Sequence, residues 1–359
     1  MALGIPVVWS DRCLLHEPGA EIWVGVRTAP AEVPARAERI LEALTEAGAE
    51  VVEAAPHDDA FLFAVHDGGL VRFLAGAWRA WEEARMPQEQ GQDRVVPYIF
   101  PANGLTSGRA ALEPVATWAR TGFWCFDTMT LIGPGTWEAA RAAVDCALTA
   151  VDRVGRGGTP IVYACCRPPG HHATRALYGG SCYLNNAAAA AQALLERRAR
   201  VAVVDIDAHH GNGTQAIFWK RGDVLTASVH VDPLAGWFPH FLGVADETGA
   251  GAGAGANLNL PLPPGTGDEG WLRAVEEAAA AVKRHGAEAL VVALGVDAAA
   301  ADPESPLAVT LDGFRGAGRV LGALGLPTVV VQEGGYDLAT IGGLVLAALE
   351  GLEQGAGGA

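Results

Sequence analysis

The sequence has six cysteines in 359 residues, Cys13, Cys125, Cys146, Cys165, Cys166 and Cys182, and no Cys-x-x-Cys pair among them. That scatter supports neither a disulfide framework nor a cysteine-ligated zinc site, and it fits a reducing cytosol. Long apolar runs are missing too. Stretches such as LATIGGLVLAAL near the C-terminus fall short of the roughly 18 residues that a membrane-spanning helix needs. The opening MALGIPVVWSDR has no basic n-region and only a short apolar run before Asp11, so it resembles neither a signal peptide nor an anchor. Basic residues are scarce: 25 Lys and Arg against 41 Asp and Glu give a formal net charge of −16. Such a balance repels nucleic-acid phosphates and favours a cationic ligand, so neither nucleic acid nor membrane is expected as a partner.

With 50% hydrophobic and 18% charged residues, the chain can bury a large core and is not disordered. Short runs rich in Val, Ile and Leu alternate with helix-periodic segments, the pattern of βαβ units on a buried parallel sheet. The expected strands are Glu50–Ala54, Pro160–Cys165, Arg200–Asp205, Val224–Val229, Ala289–Leu294 and Thr328–Gln332. The expected helices are Pro34–Ala47, Gly69–Ala84, Thr136–Val154, Leu184–Arg198, Asp268–His285, Leu311–Leu324 and Leu338–Leu352. Residues 1–359 then form one doubly wound α/β domain. Two stretches read as long loops: Met86–Phe126, with Pro, Gly, Gln and scattered aromatics, and Asp232–Gly267, which contains GAGAGAGA and PLPPGTG. Loops of that length in a compact domain are often rims or lids.

Five apolar strands run into polar residues at their C-terminal ends: CCRPPGHH, VVDIDAHHGNG, TASVHVDP, VVALGVDAAAADP and VVVQEGGY. In an open parallel sheet these ends share one edge, where ligand crevices form. If the chain stays extended past the strand, Asp205, Asp207 and His209 point one way and Ile206 and Ala208 the other. With Asp297 from another strand, a carboxylate and an imidazole two residues apart make a three-ligand site with a position open for water. Taken alone, an aspartate at a strand end as often caps the next helix. The turn Arg167–His172 presents two imidazoles at the same edge, suited to proton transfer near neutrality. Asp205 and Asn212 are the groups available to fix their tautomers. Gly334 and Gly335 let the backbone approach closely, and the Tyr336 phenol could donate to an oxyanion.

Together, RPPGHHA (Arg167–Ala173), GGSCYLNNAA (Gly179–Ala188), DIDAHHGNGTQ (Asp205–Gln215), SVHVDP (Ser228–Pro233), GVDAAAADP (Gly295–Pro303) and QEGGYDL (Gln332–Leu338) resemble the signature blocks of the histone deacetylase superfamily, in order. PARAERIL (Pro34–Leu41) and Phe238–Gly267 most resemble the bacterial acetylpolyamine amidohydrolases and related deacetylase-like amidohydrolases. The resemblance implies an arginase–deacetylase fold, a single parallel sheet flanked by helices with long active-site loops. It implies one Zn2+ on Asp207, His209 and Asp297, with Fe2+ or Co2+ compatible with so hard a donor set. It also implies His172 as general base and acid, His171 held by Asp205, Asn212 on the second histidine, and Tyr336 at the oxyanion. A structural K+ near Asp205, Asp207, His209, Ser228 and Val229 belongs to the same pattern. Gly180, Ser181, Phe238 and Gly334 are the expected substrate contacts.

Two departures bear on the substrate. Ser181 stands where acetylpolyamine enzymes usually place an aromatic wall opposite Phe238, with Trp237 or Phe241 available to compensate. The 86–126 stretch, which in those enzymes shapes the entrance and supports dimerisation, matches poorly. The implied function is removal of acetyl or a similar small acyl group from an amine such as an acetylpolyamine, by a cytoplasmic enzyme and possible homodimer. Acetyl-lysine protein deacetylation and non-catalytic sensing of an acetylated ligand are the alternatives. A two-metal ureohydrolase of the arginase type is disfavoured, because Gly211 and Ala299 stand where the second metal needs carboxylates.

Overall fold

The computed structural model describes residues 2–155 and 159–358. Its centre is an eight-stranded sheet in which every neighbouring pair is parallel. In spatial order the strands are Val51–Glu53, Val7–Trp9, Ile161–Ala164, Thr328–Gln332, Ala289–Leu294, Val201–Asp205, Val224–Val231 and Asn257–Leu262. Helices cover both faces, so the six inner strands, from Val7–Trp9 to Val224–Val231, are buried along their whole length. That explains why they read as continuous apolar runs rather than alternating ones. The register aligns their ends: Val331 pairs with Ala164, Gln332 with Leu294, and Asp205 with both Ala293 and Ser228. The polar segments that follow therefore leave from one edge.

The six expected strands are present, with Val51–Glu53 shorter and Val224–Val231 longer than anticipated. Two sheet strands were not anticipated. Val7–Trp9 is only three residues long and so carries almost no periodic signal. Asn257–Leu262 lies inside the stretch read as a loop, where the Gly-Ala repeat before it and Pro261 within it obscure the pattern. Proline is tolerated there because this is an edge strand. A separate hairpin, Glu21–Trp23 with Val26–Thr28, was also missed. The 86–126 stretch holds the short helices Met86–Glu89, Asn103–Thr106 and Thr117–Trp124, of which the first two are too brief to show amphipathic spacing.

The long helices fall close to their expected bounds. Asp268–His285 carries acids in its first turn and Lys283, Arg284 and His285 in its last, matching the helix dipole, and ends on Gly286 at φ +68°. The fourth expected helix begins later than read, at Asn186, because the Asn185 side chain caps it by accepting from the Ala188 N–H at 2.8 Å. The last runs Ile341–Gly357, through a glycine-rich tail not expected to be helical. Its glycines allow close approach to helix Leu311–Gly322: a Cβ on Gly351 would lie 2.1 Å from the Arg315 carbonyl oxygen. No helix among the described residues is long and apolar enough to cross a membrane.

Candidate active site

The strand-end loops converge on a small cavity of about 80 Å3, lined by Glu21, Ala31, Met129, His172, Gly180, Ser181, His209, Phe238, Glu304 and Tyr336. Larger depressions on the molecule lie elsewhere, but this one has the titratable groups at its floor. Asp207, His209 and Asp297 meet there, with one ligand atom from each lying within 4.8 Å of the others. His209 Nδ1 is 2.9 Å from Asp297 Oδ2 and 3.4 Å from Asp207 Oδ1. Asp205, which alternation grouped with them, instead takes its other expected role, as the partner of a histidine. The extended run ends at Asp205 itself, and its Oδ2 meets His171 Nδ1 at 2.9 Å.

The donor set fits a divalent cation. Two buried carboxylates share one imidazole, and burial together with the Asp207 charge pushes Asp297 up to about 7. Against the same burial, the charges of His171 and His209 hold Asp207 below its usual range. A bound cation relieves this crowding of like charge, and the set leaves room for a further ligand. Backbone amides orient the carboxylates: Ala208 donates to Asp297 Oδ1 at 2.8 Å, His209 to Asp207 Oδ1 at 2.8 Å, and Gly334 to Asp207 Oδ2 at 2.7 Å. Only glycine fits at 334, since a Cβ would fall 2.5 Å from Asp207 Oδ2 and 2.6 Å from Asp297 Oδ2. Gly334 was expected to touch substrate. It is not among the residues lining the cavity, because its N–H is committed to the aspartate behind it.

The two adjacent histidines sit 3.9 Å apart by ring centroids but in different environments. His171 is fully buried, which alone would lower its pKa, yet the Asp205 and Asp207 charges lift it to about 10. His172 goes the other way. Burial, reinforced by the positive charges of His171 and His209, holds it well below its usual value. Its Nδ1 meets the Asn212 amide oxygen at 2.7 Å, a bond that puts the proton on Nδ1 and leaves Nε2 free as an acceptor. Tyr336 completes the floor. Burial keeps its phenol protonated, and its backbone N–H donates to Asp302 Oδ2 at 2.7 Å.

Of the expected substrate contacts, Gly180, Ser181 and Phe238 line the cavity. Gly180, at φ +59°, leaves no room for a Cβ, which would sit 2.4 Å from the His172 ring. Ser181 is itself left-handed, at φ +61°, with its N–H on Thr130 Oγ1 at 2.9 Å. Phe238 packs edge-on against His172, with centroids 4.8 Å apart. Neither Trp237 nor Phe241 replaces the missing wall. Phe241 is 93% exposed, and neither residue lines the cavity. The aromatic partner of Phe238 is Phe126, stacked at 6.2 Å on the side of an adjoining apolar groove. Sequence reasoning missed Glu21 and Glu304 on the cavity wall. Glu21 comes from the unanticipated hairpin, while Glu304 follows Asp297 by seven residues and could have been suspected from that proximity.

The family model for the histone deacetylase domain matches residues 30–352. The chain belongs to the histone deacetylase family. Within it, the chain is 42% identical over 348 residues to the acetylpolyamine amidohydrolase of Mycoplana ramosa, covering 96% of this chain and 99% of that one. It is 39% identical over 232 residues to histone deacetylase 8 of Arabidopsis thaliana, covering 62% of each. The crystal structure of the acetylpolyamine aminohydrolase from Burkholderia pseudomallei superposes with a TM-score of 0.90 at 39% identity, over 98% of this chain and 99% of that one. Family membership makes the protein a hydrolytic deacetylase, an amidohydrolase that removes an acyl group from an N-acylated amine. The fold is the arginase–deacetylase α/β fold, and the floor of the cavity is a candidate metal site of the kind the family uses.

Proposed function

We propose that the protein is a zinc-dependent deacetylase of small cationic N-acetylamines, acetylated polyamines in particular. The observation that carries the substrate class is the pair of carboxylates, Glu21 and Glu304, on the wall of a cavity whose floor holds His172, His209 and Tyr336. An N-acetyl group at the floor leaves the distal ammonium of a short polyamine near those carboxylates, an attraction that a neutral amide lacks. The curated relative from Mycoplana ramosa, named for this class of substrate, agrees with the reading.

Asp207, His209 and Asp297 would hold the ion, which supplies Lewis acidity that polarises an acyl carbonyl and eases deprotonation of water. The remaining work falls to the chain. His172 Nε2 takes the proton from the attacking water and returns it to the departing amine, with Asn212 fixing the tautomer. His171, kept positive by Asp205, contributes charge rather than a mobile proton. The Tyr336 hydroxyl donates to the oxyanion, and Gly180 and Phe238 confine the acyl group. Acetate and a free amine leave. Asp205, Asp207, His209, Ser228 and Val229, of which Asp205 and Ser228 pair across neighbouring strands, would hold a structural K+, whose charge would brace the same loop.

A turnover panel of acetylputrescine, acetylspermidine and acetyl-lysine peptides, with bound metal measured on the same sample, tests this reading. Acetylspermidine turned over much faster than peptide supports it, and the reverse preference points to a protein deacetylase, which the short side chain of Ser181 would favour. A homodimer is part of the proposal. Tyr98, Leu105, Leu112, Val115 and Trp118 of the 86–126 stretch are exposed, as are Trp23, Val24 and Val26 of the hairpin, apolar side chains of the kind that an interface would cover. Six free, buried cysteines fit a cytoplasmic setting.

A further inference from the structure

Glu32, Arg36 and Arg167 take no part in the chemistry above, yet all three are buried, at 1%, 2% and 1% exposure. Glu32 faces both cations. Its Oε1 accepts from Arg36 Nη1 at 2.9 Å and from Arg167 Nε at 2.8 Å, and its Oε2 accepts from Arg167 Nη2 at 3.0 Å. The remaining neighbour, His16, lies 3.6 Å from Oε2 and is kept neutral by burial, its pKa lowered to about 3, so it supplies no third cation.

The two arginines serve different catalytic loops, and Arg167 Nη1 also donates to the Cys13 carbonyl at 2.9 Å. Arg36 donates through Nε to the Gly335 carbonyl and through Nη2 to the Glu333 carbonyl at 2.6 Å, and its guanidinium carbon lies 4.6 Å from the centre of the Tyr336 ring. Arg167 opens the turn that carries His171 and His172. That turn is tied back to the tyrosine loop at its far end, where Glu333 Oε2 accepts from the Gly170 and His171 amides at 2.6 and 3.1 Å. The result is a closed circuit: Arg167, Glu32, Arg36, the Glu333–Gly335 backbone, the Glu333 carboxylate, and the Gly170–His171 backbone.

We propose that Glu32 is a positioning residue for the reaction. By holding Arg36 between its own carboxylate and the two carbonyls, it sets the height and tilt of the Tyr336 ring relative to the histidines. Arg36 then grips the loop with both of its remaining donor sites and covers one face of the phenol. Without the carboxylate, two buried guanidiniums repel each other with no anion between them, and Arg36 loses the anchor that aims it. The proposal rests on Tyr336 acting as the oxyanion donor, and its test separates the two ideas.

Glu32→Gln and Glu32→Asp are made in the full chain, each alone and each combined with Tyr336→Phe. In Glu32→Gln, kcat on the best substrate of the panel is expected to fall at least about tenfold, with KM changed less than about threefold and bound metal unchanged. Glu32→Asp, which keeps the charge and protects the fold, should recover part of the rate. Added to Tyr336→Phe, either substitution should cost less than about twofold more, because the donor it positions is already gone. An equal loss in both backgrounds, or a kcat in Glu32→Gln within about twofold of the parent, overturns the proposal.

A second readout needs no turnover. With 3-fluorotyrosine in place of the five tyrosines, the 19F signal missing from Tyr336→Phe belongs to Tyr336. That signal is expected to shift in Glu32→Gln, in metal-free protein as well, while Tyr98, Tyr163 and Tyr178 stay in place; Tyr183, which the Glu32 charge also reaches, is left out of the comparison. A Tyr336 signal that does not move refutes the positioning role. A signal that moves in a protein that deacetylates nothing leaves the positioning intact and removes the chemical reading instead.

Discussion

The Asn212 amide oxygen lies 2.7 Å from Nδ1 of His172, so the proposed base is held by a neutral partner, whereas its neighbour His171 is held by the Asp205 carboxylate. That difference helps set the two imidazoles to opposite protonation states. Asn212→Asp places an anion on His172 and raises its pKa, so the unprotonated form is lost at a higher pH. The acidic limb of kcat/KM is expected to move up by about one unit. A pH–rate profile with its acidic limb unmoved would remove His172 as the base.

Tyr336→Phe deletes the phenol and leaves Asp207, His209 and Asp297 untouched. By analogy with the loss of a single oxyanion donor, kcat should drop by about 10² to 10³, with KM and metal content little changed. Steady-state kinetics and metal analysis on one preparation decide the matter. Retained turnover would remove Tyr336 as the oxyanion donor, whereas a parent that deacetylates nothing and binds acetylated ligands equally well with and without the phenol would be a sensor.

Charge at the rim gives a prediction about pH. Burial raises Glu21 to about 7, with the Glu304 charge among the smaller contributions in the same direction. A raised carboxylate is neutral below that pH and ionised above it, so KM for acetylspermidine should fall as pH rises through about 7. Glu21→Gln and Glu304→Gln should each raise KM for the cationic substrate by roughly three- to tenfold. A neutral acetamide of similar length serves as the control, and an equal effect on both substrates would mean the carboxylates do not read charge.

Removing an ion from the proposed site would leave two buried carboxylates and an imidazole without their common partner. Chelation should abolish activity and lower the melting temperature by several degrees, and Zn2+ in excess should restore both. Scanning calorimetry before and after dialysis against chelator makes the comparison. Asp297→Asn should weaken metal binding at least about tenfold, because an amide replaces an anionic ligand.

Much of the site was legible because its residues sit at strand ends. The inner strands are buried on both faces, so each apolar run stops where the polar loop begins, and Asp205, Asp207, His209, Asp297 and Tyr336 could be placed on one edge from pattern alone. The shared edge did not say which side chains would face one another. Alternation grouped Asp205 with Asp207 and His209, while its other expected role, as the partner of His171, is the one the fold realises. Glu21 and Glu32 were invisible for a different reason. Glu21 comes from a three-residue strand and Glu32 from the loop before a helix, and both gain meaning only through partners distant in sequence. The edge strand Asn257–Leu262 was missed because its one-sided burial is weak and the Gly-Ala run beside it reads as a loop.

The spacing of the three proposed metal donors has a consequence for how the protein matures. His209 and Asp297 lie 88 positions apart and meet only once Ala289–Leu294 has been laid beside Val201–Asp205. A growing chain that has left the ribosome only as far as the loop after Val201–Asp205 carries Asp207 and His209 but no third donor, and so would offer a weak, open chelate. Tight metal capture therefore waits until most of the polypeptide has been made, and bound ion reports that the middle of the sheet has closed correctly.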